Sequence, residues 1–172
     1  MAISMKHIKI DSENPLHHWY FLDVKDKKVL DLGCGKHLLE DGMLTTPEFF
    51  LRQGAKSVIG VDPHVNDIEW FKTNITNGQF FVDCIKDVSQ LDFYLNMDVQ
   101  AVKIDIEGHE NCLLQTTNLL THITDIAIET HNRELFHDIL IKLVDLNFTI
   151  THIATFYPRV YPICNVICGS KL

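Results

Sequence analysis

The chain has 172 residues, 46% of them hydrophobic and 22% charged, which fits one domain with its own core and excludes a disordered or fibrous chain. Its formal net charge is −8 and its basic residues are scattered, so no stripe is present to neutralise phosphates and no extended nucleic-acid surface is expected. No run approaches the roughly 20 apolar residues of a membrane helix, and Met1–Ile10 lacks an apolar signal core, so a cytoplasmic location without a membrane partner is expected.

Residues 1–27 come first in the chain and are the hardest to read. Pro15–Phe21 is dense in aromatic and imidazole groups, which suits either a lid over a crevice or a flap packed on a sheet face. Packing is preferred, because aromatic clusters belong mostly to cores.

From residue 28 onward the pattern becomes regular. Apolar, β-rich runs recur at Lys28–Leu32, Ser57–Val61, Gln79–Asp83, Val99–Ile106, Asp125–Glu129, Phe148–Ile153 and Ile163–Cys168. Helical spacing marks Pro47–Gln53, Asn66–Asn74, Val88–Asn96, Glu110–His122 and Arg133–Leu146. The last of these is clearest, with Leu135, Ile139, Leu140, Leu143 and Leu146 on one face. Strands alternating with helices predict an α/β fold with a mostly parallel seven-stranded sheet. The loop from Ala154 to Pro162 is too short for a crossover helix, so the last two strands are expected to form an antiparallel hairpin. The whole chain, 1–172, is read as one domain with its core at 28–168.

The five cysteines, Cys34, Cys84, Cys112, Cys164 and Cys168, include no CxxC pair. They are expected to be reduced. Cys164 and Cys168 fall on one face of a strand and read as core packing.

The chemistry concentrates at strand ends. Val29–Gly35 runs from a strand into a glycine turn, where backbone can approach a ligand closely. Val58–Asp62 describes a neighbouring parallel strand ending in an acid. The carboxyl ends of such strands form the crevice where open α/β sheets bind nucleosides, and Asp62 is placed to accept hydrogen bonds from a ribose diol. The fourth strand delivers Asp105, Glu107, Gly108 and His109 to the same edge, and the fifth ends in Glu129, Thr130, His131 and Asn132. Acids clustered this way call for a cation, a polar ligand or water.

These motifs resemble those of the class I methyltransferases that use S-adenosylmethionine. Asp31-Leu-Gly-Cys-Gly35 looks like their first motif, and Val61-Asp62-Pro63 looks like the acid ending strand two. Val102-Lys-Ile-Asp-Ile-Glu-Gly-His-Glu110 is similar to the signature of the FkbM family, which typically methylates hydroxyl groups. The resemblance covers residues 28–168 and implies a Rossmann-like methyltransferase fold, strand order 3-2-1-4-5-7-6, with helices on both faces. It implies S-adenosyl-L-methionine held by Asp31, Gly33, Cys34, Gly35, Asp62, Pro63, Asp83, Cys84 and Asp105, with Asp83 and Cys84 near the adenine.

The implied acceptor is a hydroxyl of a small molecule or sugar. For its proton, chemistry and position select Glu107 and His131 as the catalytic pair, with His109 in reserve. A second mechanism places magnesium on Asp105, Glu129 and His131 or Asn132; the metal-free route is preferred, and no metal ligand is assigned. Two rivals remain open. A nicotinamide-dependent oxidoreductase needs a third glycine where Leu38 stands, and a non-catalytic S-adenosylmethionine-binding module would keep the pocket without turnover. A partner subunit could complete a shallow acceptor site, so an oligomer is allowed.

Overall fold

The computed structural model describes residues 6–9, 17–36, 44–116, 122–156 and 164–171. In chain order the elements are β1 (Lys6–Lys9), β2 (Lys28–Leu32), α1 (Thr46–Arg52), β3 (Ser57–Asp62), α2 (Val65–Asn74), β4 (Gly78–Val82) and α3 (Val88–Leu95). There follow β5 (Ala101–Ile104), α4 (Cys112–Gln115), β6 (Asp125–Thr130), α5 (Arg133–Asp145), β7 (Thr149–Phe156) and β8 (Cys164–Ser170). Leu38, most of the Ala154–Pro162 loop and residues 117–121 of the expected fourth helix lie outside the described residues.

All seven expected strands form, in the order β4-β3-β2-β5-β6-β8-β7, which is 3-2-1-4-5-7-6 counted from β2. The pairs from β4 through β6 are parallel, and β8 runs antiparallel to both β6 and β7. An eighth strand extends this sheet: β1 pairs in parallel with β7, Lys6 opposite His152. Its four residues, KHIK, carry one apolar side chain, too little for a period-2 pattern to mark it.

Helix starts follow local chemistry. Thr45 and Glu48 form a reciprocal capping box ahead of α1, with Pro47 in its first turn, so two otherwise unpaired N–H groups are satisfied at once. Asp87 caps α3 through Ser89 N and Gln90 N, and Asn132 caps α5 through Leu135 N at 2.6 Å.

Period-2 alternation sorts the strand residues onto two faces. Leu30, Leu32, Val102, Ile104, Ile126 and Ile128 pack with Leu91, Leu113, Leu135 and Ile139 of α3, α4 and α5. Val29, Ala101, Ala127 and Ala154 meet Trp19, Phe49 and Phe50; the small strand residues leave room for the large rings. A third cluster joins Cys34 to Ile68, Phe71 and Phe80. Asp31 and Lys103 are register partners on β2 and β5, two opposite charges at one level of the sheet. The strand order reverses between β2 and β5, and the crevice at such a reversal is where this architecture places ligands.

Candidate functional site

The turn after β2 is locked into the crevice by its backbone. Gly33 has φ +78°, and a Cβ there would lie 1.7 Å from the Asp105 carbonyl oxygen, so only glycine fits. Gly33 N and Cys34 N both donate to Val61 O, at 2.8 and 3.2 Å. Cys34 itself is buried, and burial together with the Asp31 charge pushes its thiol well above the ordinary value. It fills space; it is no nucleophile.

Asp62, at the end of β3, reaches across to this turn. Its Oδ2 accepts from Gly35 N at 2.8 Å, and its Oδ1 accepts from His64 N at 2.8 Å and lies 2.8 Å from His64 Nδ1. The carboxylate is therefore fixed in place and 5% exposed. Pro63 follows it on the exposed rim. Farther along the same edge, Asp83 accepts from Cys84 N at 2.8 Å and from Tyr94 Oη at 2.9 Å. Asp31, by contrast, is wholly buried beneath the turn, bonded to Thr46 Oγ1 and 3.2 Å from Lys103 Nζ. It can shape the turn from below.

On the other side of the crevice stands His131, at the end of β6. Its Nδ1 is 3.0 Å from Glu110 Oε1, while Nε2 is 3.6 Å from Glu107, 3.6 Å from Glu129 and 3.8 Å from Asp105. Glu110 is fully buried and also accepts from Ile106 N and Gly108 N, so it shapes the turn that carries Glu107 in the left-handed region at φ 51°. Burial works against the charged imidazole, but Glu110 and the surrounding acids outweigh it and raise the His131 pKa to about 9. Burial and then the Asp105 charge push Glu129 up to about 8.

The structure thus gathers Asp105, Glu107 and His131 on one rim and Gly33, Gly35 and Asp62 on the other. Glu107 is 75% exposed at its side chain, His109 is exposed, and Asn132 is committed to capping α5. Among the described residues three carboxylate oxygens, Asp31 Oδ1, Asp105 Oδ1 and Glu110 Oε2, are buried without a hydrogen-bond partner; such oxygens are rare in folded proteins, and all three lie around this crevice.

No family model matches the chain, and no curated protein does either. Solved structures do. A candidate tRNA methyltransferase from Streptococcus pneumoniae, in complex with S-adenosyl-L-methionine, superposes with TM-score 0.65 at 16% identity over 94% of this chain and 73% of that one. A candidate RNA methyltransferase from Pyrococcus horikoshii gives 0.59 at 21% identity, covering 87% and 77%. Magnesium protoporphyrin IX methyltransferase from Synechocystis, with bound SAH, gives 0.59 at 15% identity, covering 87% and 76%. The fold is the Rossmann-like methyltransferase fold. Among the described residues of this methyltransferase fold, no helix is long and apolar enough to cross a membrane.

Sequence reasoning passed over Lys103 and Glu110, although both stand in the Val102–Glu110 segment. A lysine inside the otherwise apolar run Ala101–Ile104 was the available signal for the first. Glu110 read as a helix start, and only the fold reveals it beneath His131. Among the described residues three groups could hold a metal ion, Asp105–Glu107–His131, Glu129–His131–Cys164 and Asp62–His64–Asp67, each with ligand atoms within 4.8 Å of one another.

Glu110→Gln keeps the shape and removes one charge that favours the imidazolium. The His131 pKa is expected to fall from about 9 toward its ordinary 6.5, read from ring-nitrogen NMR shifts against pH. An unchanged titration would assign the shift to the other acids.

Proposed function

We propose that the chain is an S-adenosylmethionine-dependent methyltransferase acting on a hydroxyl of a small molecule or sugar, in the manner of the FkbM family. The observation that carries this reading is the pairing of Gly35 N with Asp62 Oδ2 across the crevice, opposite an imidazole aimed by a buried carboxylate. It also draws on the neighbours of this fold that were solved with SAM or SAH.

Bound in this crevice, S-adenosylmethionine supplies a methyl group on a cationic sulfur that departs as a neutral thioether. Asp62 Oδ2 keeps a lone pair for one ribose hydroxyl beyond Gly35 N, and a second hydroxyl takes the place of His64 Nδ1 on Oδ1, because each carboxylate oxygen accepts more than one bond. Asp83 lies where the adenine edge would come. Asp105 Oδ1 accepts a donor from the methionine end. Glu110 holds the proton on His131 Nδ1, which leaves Nε2 to take the acceptor hydroxyl's proton as the new oxygen–carbon bond forms. Placement at near-attack distance supplies much of the rest.

The acceptor rim carries Asp105, Glu107, Glu110 and Glu129 around one imidazole. With Glu129 mostly protonated at neutral pH, the carboxylates of Asp105, Glu107 and Glu110 repel phosphates, so a neutral polyhydroxyl acceptor suits the rim better than the RNA named for some neighbours. No metal is required by this route.

Calorimetric titration with S-adenosylhomocysteine and with NADH tests the cofactor, and transfer of a labelled methyl group to sugars, alcohols, small peptides and RNA tests the acceptor. Asp62→Asn is expected to weaken S-adenosylhomocysteine binding about 10- to 100-fold, the worth of charge-assisted hydrogen bonds to the diol. Stabilisation by NADH alone would overturn the reading in favour of an oxidoreductase. Tight binding without transfer to any acceptor would favour a binding module.

A further inference from the structure

Lys103 is 1% exposed, on a strand whose four residues are all buried. Its ammonium donates to Gly33 O at 2.6 Å and lies 3.2 Å from Asp31 Oδ1 and 3.5 Å from Asp105 Oδ2. Trp19 closes over it, its ring centre 5.0 Å away. Replacing a whole buried ion pair by apolar side chains of similar volume is often neutral or stabilising, so stability alone is a poor reason for the Asp31–Lys103 pair. What the ammonium does is specific. The peptide plane between Gly33 and Cys34 is held at both ends, its carbonyl by Lys103 and its N–H by Val61 O, and the next N–H is taken by Asp62.

We propose that Lys103 is a positioning residue of the cofactor crevice, one that pins the Gly33 carbonyl to set the turn and balances the charges of Asp31 and Asp105 beneath a cationic ligand. The proposal rests on the methyltransferase reading. Burial alone would push the lysine toward its neutral form, and the two carboxylates more than reverse this, raising its pKa above the ordinary value. The ammonium therefore stays charged, and its carbonyl bond is a charge-assisted one.

The test compares the parent chain with Lys103→Met and with Lys103→Met/Asp31→Asn, titrating each with S-adenosylmethionine and S-adenosylhomocysteine. The double variant removes opposite charges together, so the net charge of the group is kept and only Asp105, 3.5 Å from the lysine, loses a partner; it carries the test if the single variant fails to fold. It is expected to bind S-adenosylhomocysteine about 10- to 100-fold more weakly, the size of one lost charge-assisted hydrogen bond.

In Lys103→Met the surplus carboxylate charge is expected to raise the preference for the cationic sulfonium over the neutral thioether. The double variant is expected to return that ratio to the parent value. A merely structural lysine would weaken both ligands alike. Binding by the double variant within threefold of the parent, or a ligand ratio unmoved in Lys103→Met, overturns the proposal while the parent's binding upholds the function. A parent that binds neither ligand overturns both.

Discussion

Gly33→Ala is expected to abolish S-adenosylhomocysteine binding and to lower folding stability by more than any other single methyl added to the crevice. Two costs combine. The left-handed conformation at φ +78° costs an alanine about 1–2 kcal/mol. The new Cβ would also stand 1.7 Å from the backbone oxygen of Asp105, and β5 cannot yield without breaking its pairing with β2. Together these move the total toward about 4–5 kcal/mol, the upper end for one substitution. Gly108→Ala is the internal control, since its φ is +91° but nothing lies within 4 Å of its Cβ position; only the conformational cost of about 1–2 kcal/mol is expected. Denaturant midpoints for the two variants check the difference. Equal losses would mean that the turn does not press on β5.

His131→Gln is expected to lower methyl transfer by about 10²- to 10⁴-fold, the usual contribution of a general base. The pH profile gives the sharper readout. Only the neutral imidazole can accept a proton, and with its pKa raised to about 9 the parent's kcat/KM should climb through neutral pH and level off near that value. Bound sulfonium charge disfavours the imidazolium, so the plateau in kcat should come at lower pH than the plateau in kcat/KM. The variant should lose the climb. A variant that keeps it would pass the base role to Glu129, whose pKa of about 8 covers the same range.

The same shift makes stability depend on pH. A raised histidine pKa favours the folded chain, fully so below the unfolded value near 6.5, and that contribution is lost as pH climbs through about 9.

Much of this fold was legible because strands buried on both faces read as short apolar runs. Lys28–Leu32 forms with the bounds that its pattern gives, and Ser57–Val61 extends by only one residue, to Asp62. The hairpin of β7 and β8 followed from the length of its connection alone. Strand β1 escaped because its pairing with β7 is a long-range event that four mixed residues do not announce. At the site, Asp62 and the glycine turn were readable because a strand end and a glycine are local signals. Lys103 and Glu110 were not, since their meaning lies in partners from other elements. Lys103 acquires its role from Asp31 across a strand pairing, and Glu110 from His131, 21 residues later. Glu107 drew attention by standing in the motif's centre, yet the acid in closest contact with the imidazole is Glu110.

The alignment of Asp31 with Lys103 also bears on how the sheet assembles. Side chains alternate between faces, so a slip of β5 by one residue along β2 would carry the ammonium among Leu30, Leu32 and the helices beyond them. There it would meet no carboxylate at all. The buried ion pair thus acts as a key that only one alignment of the two central strands can turn, so the native register is favoured over its one-residue neighbours.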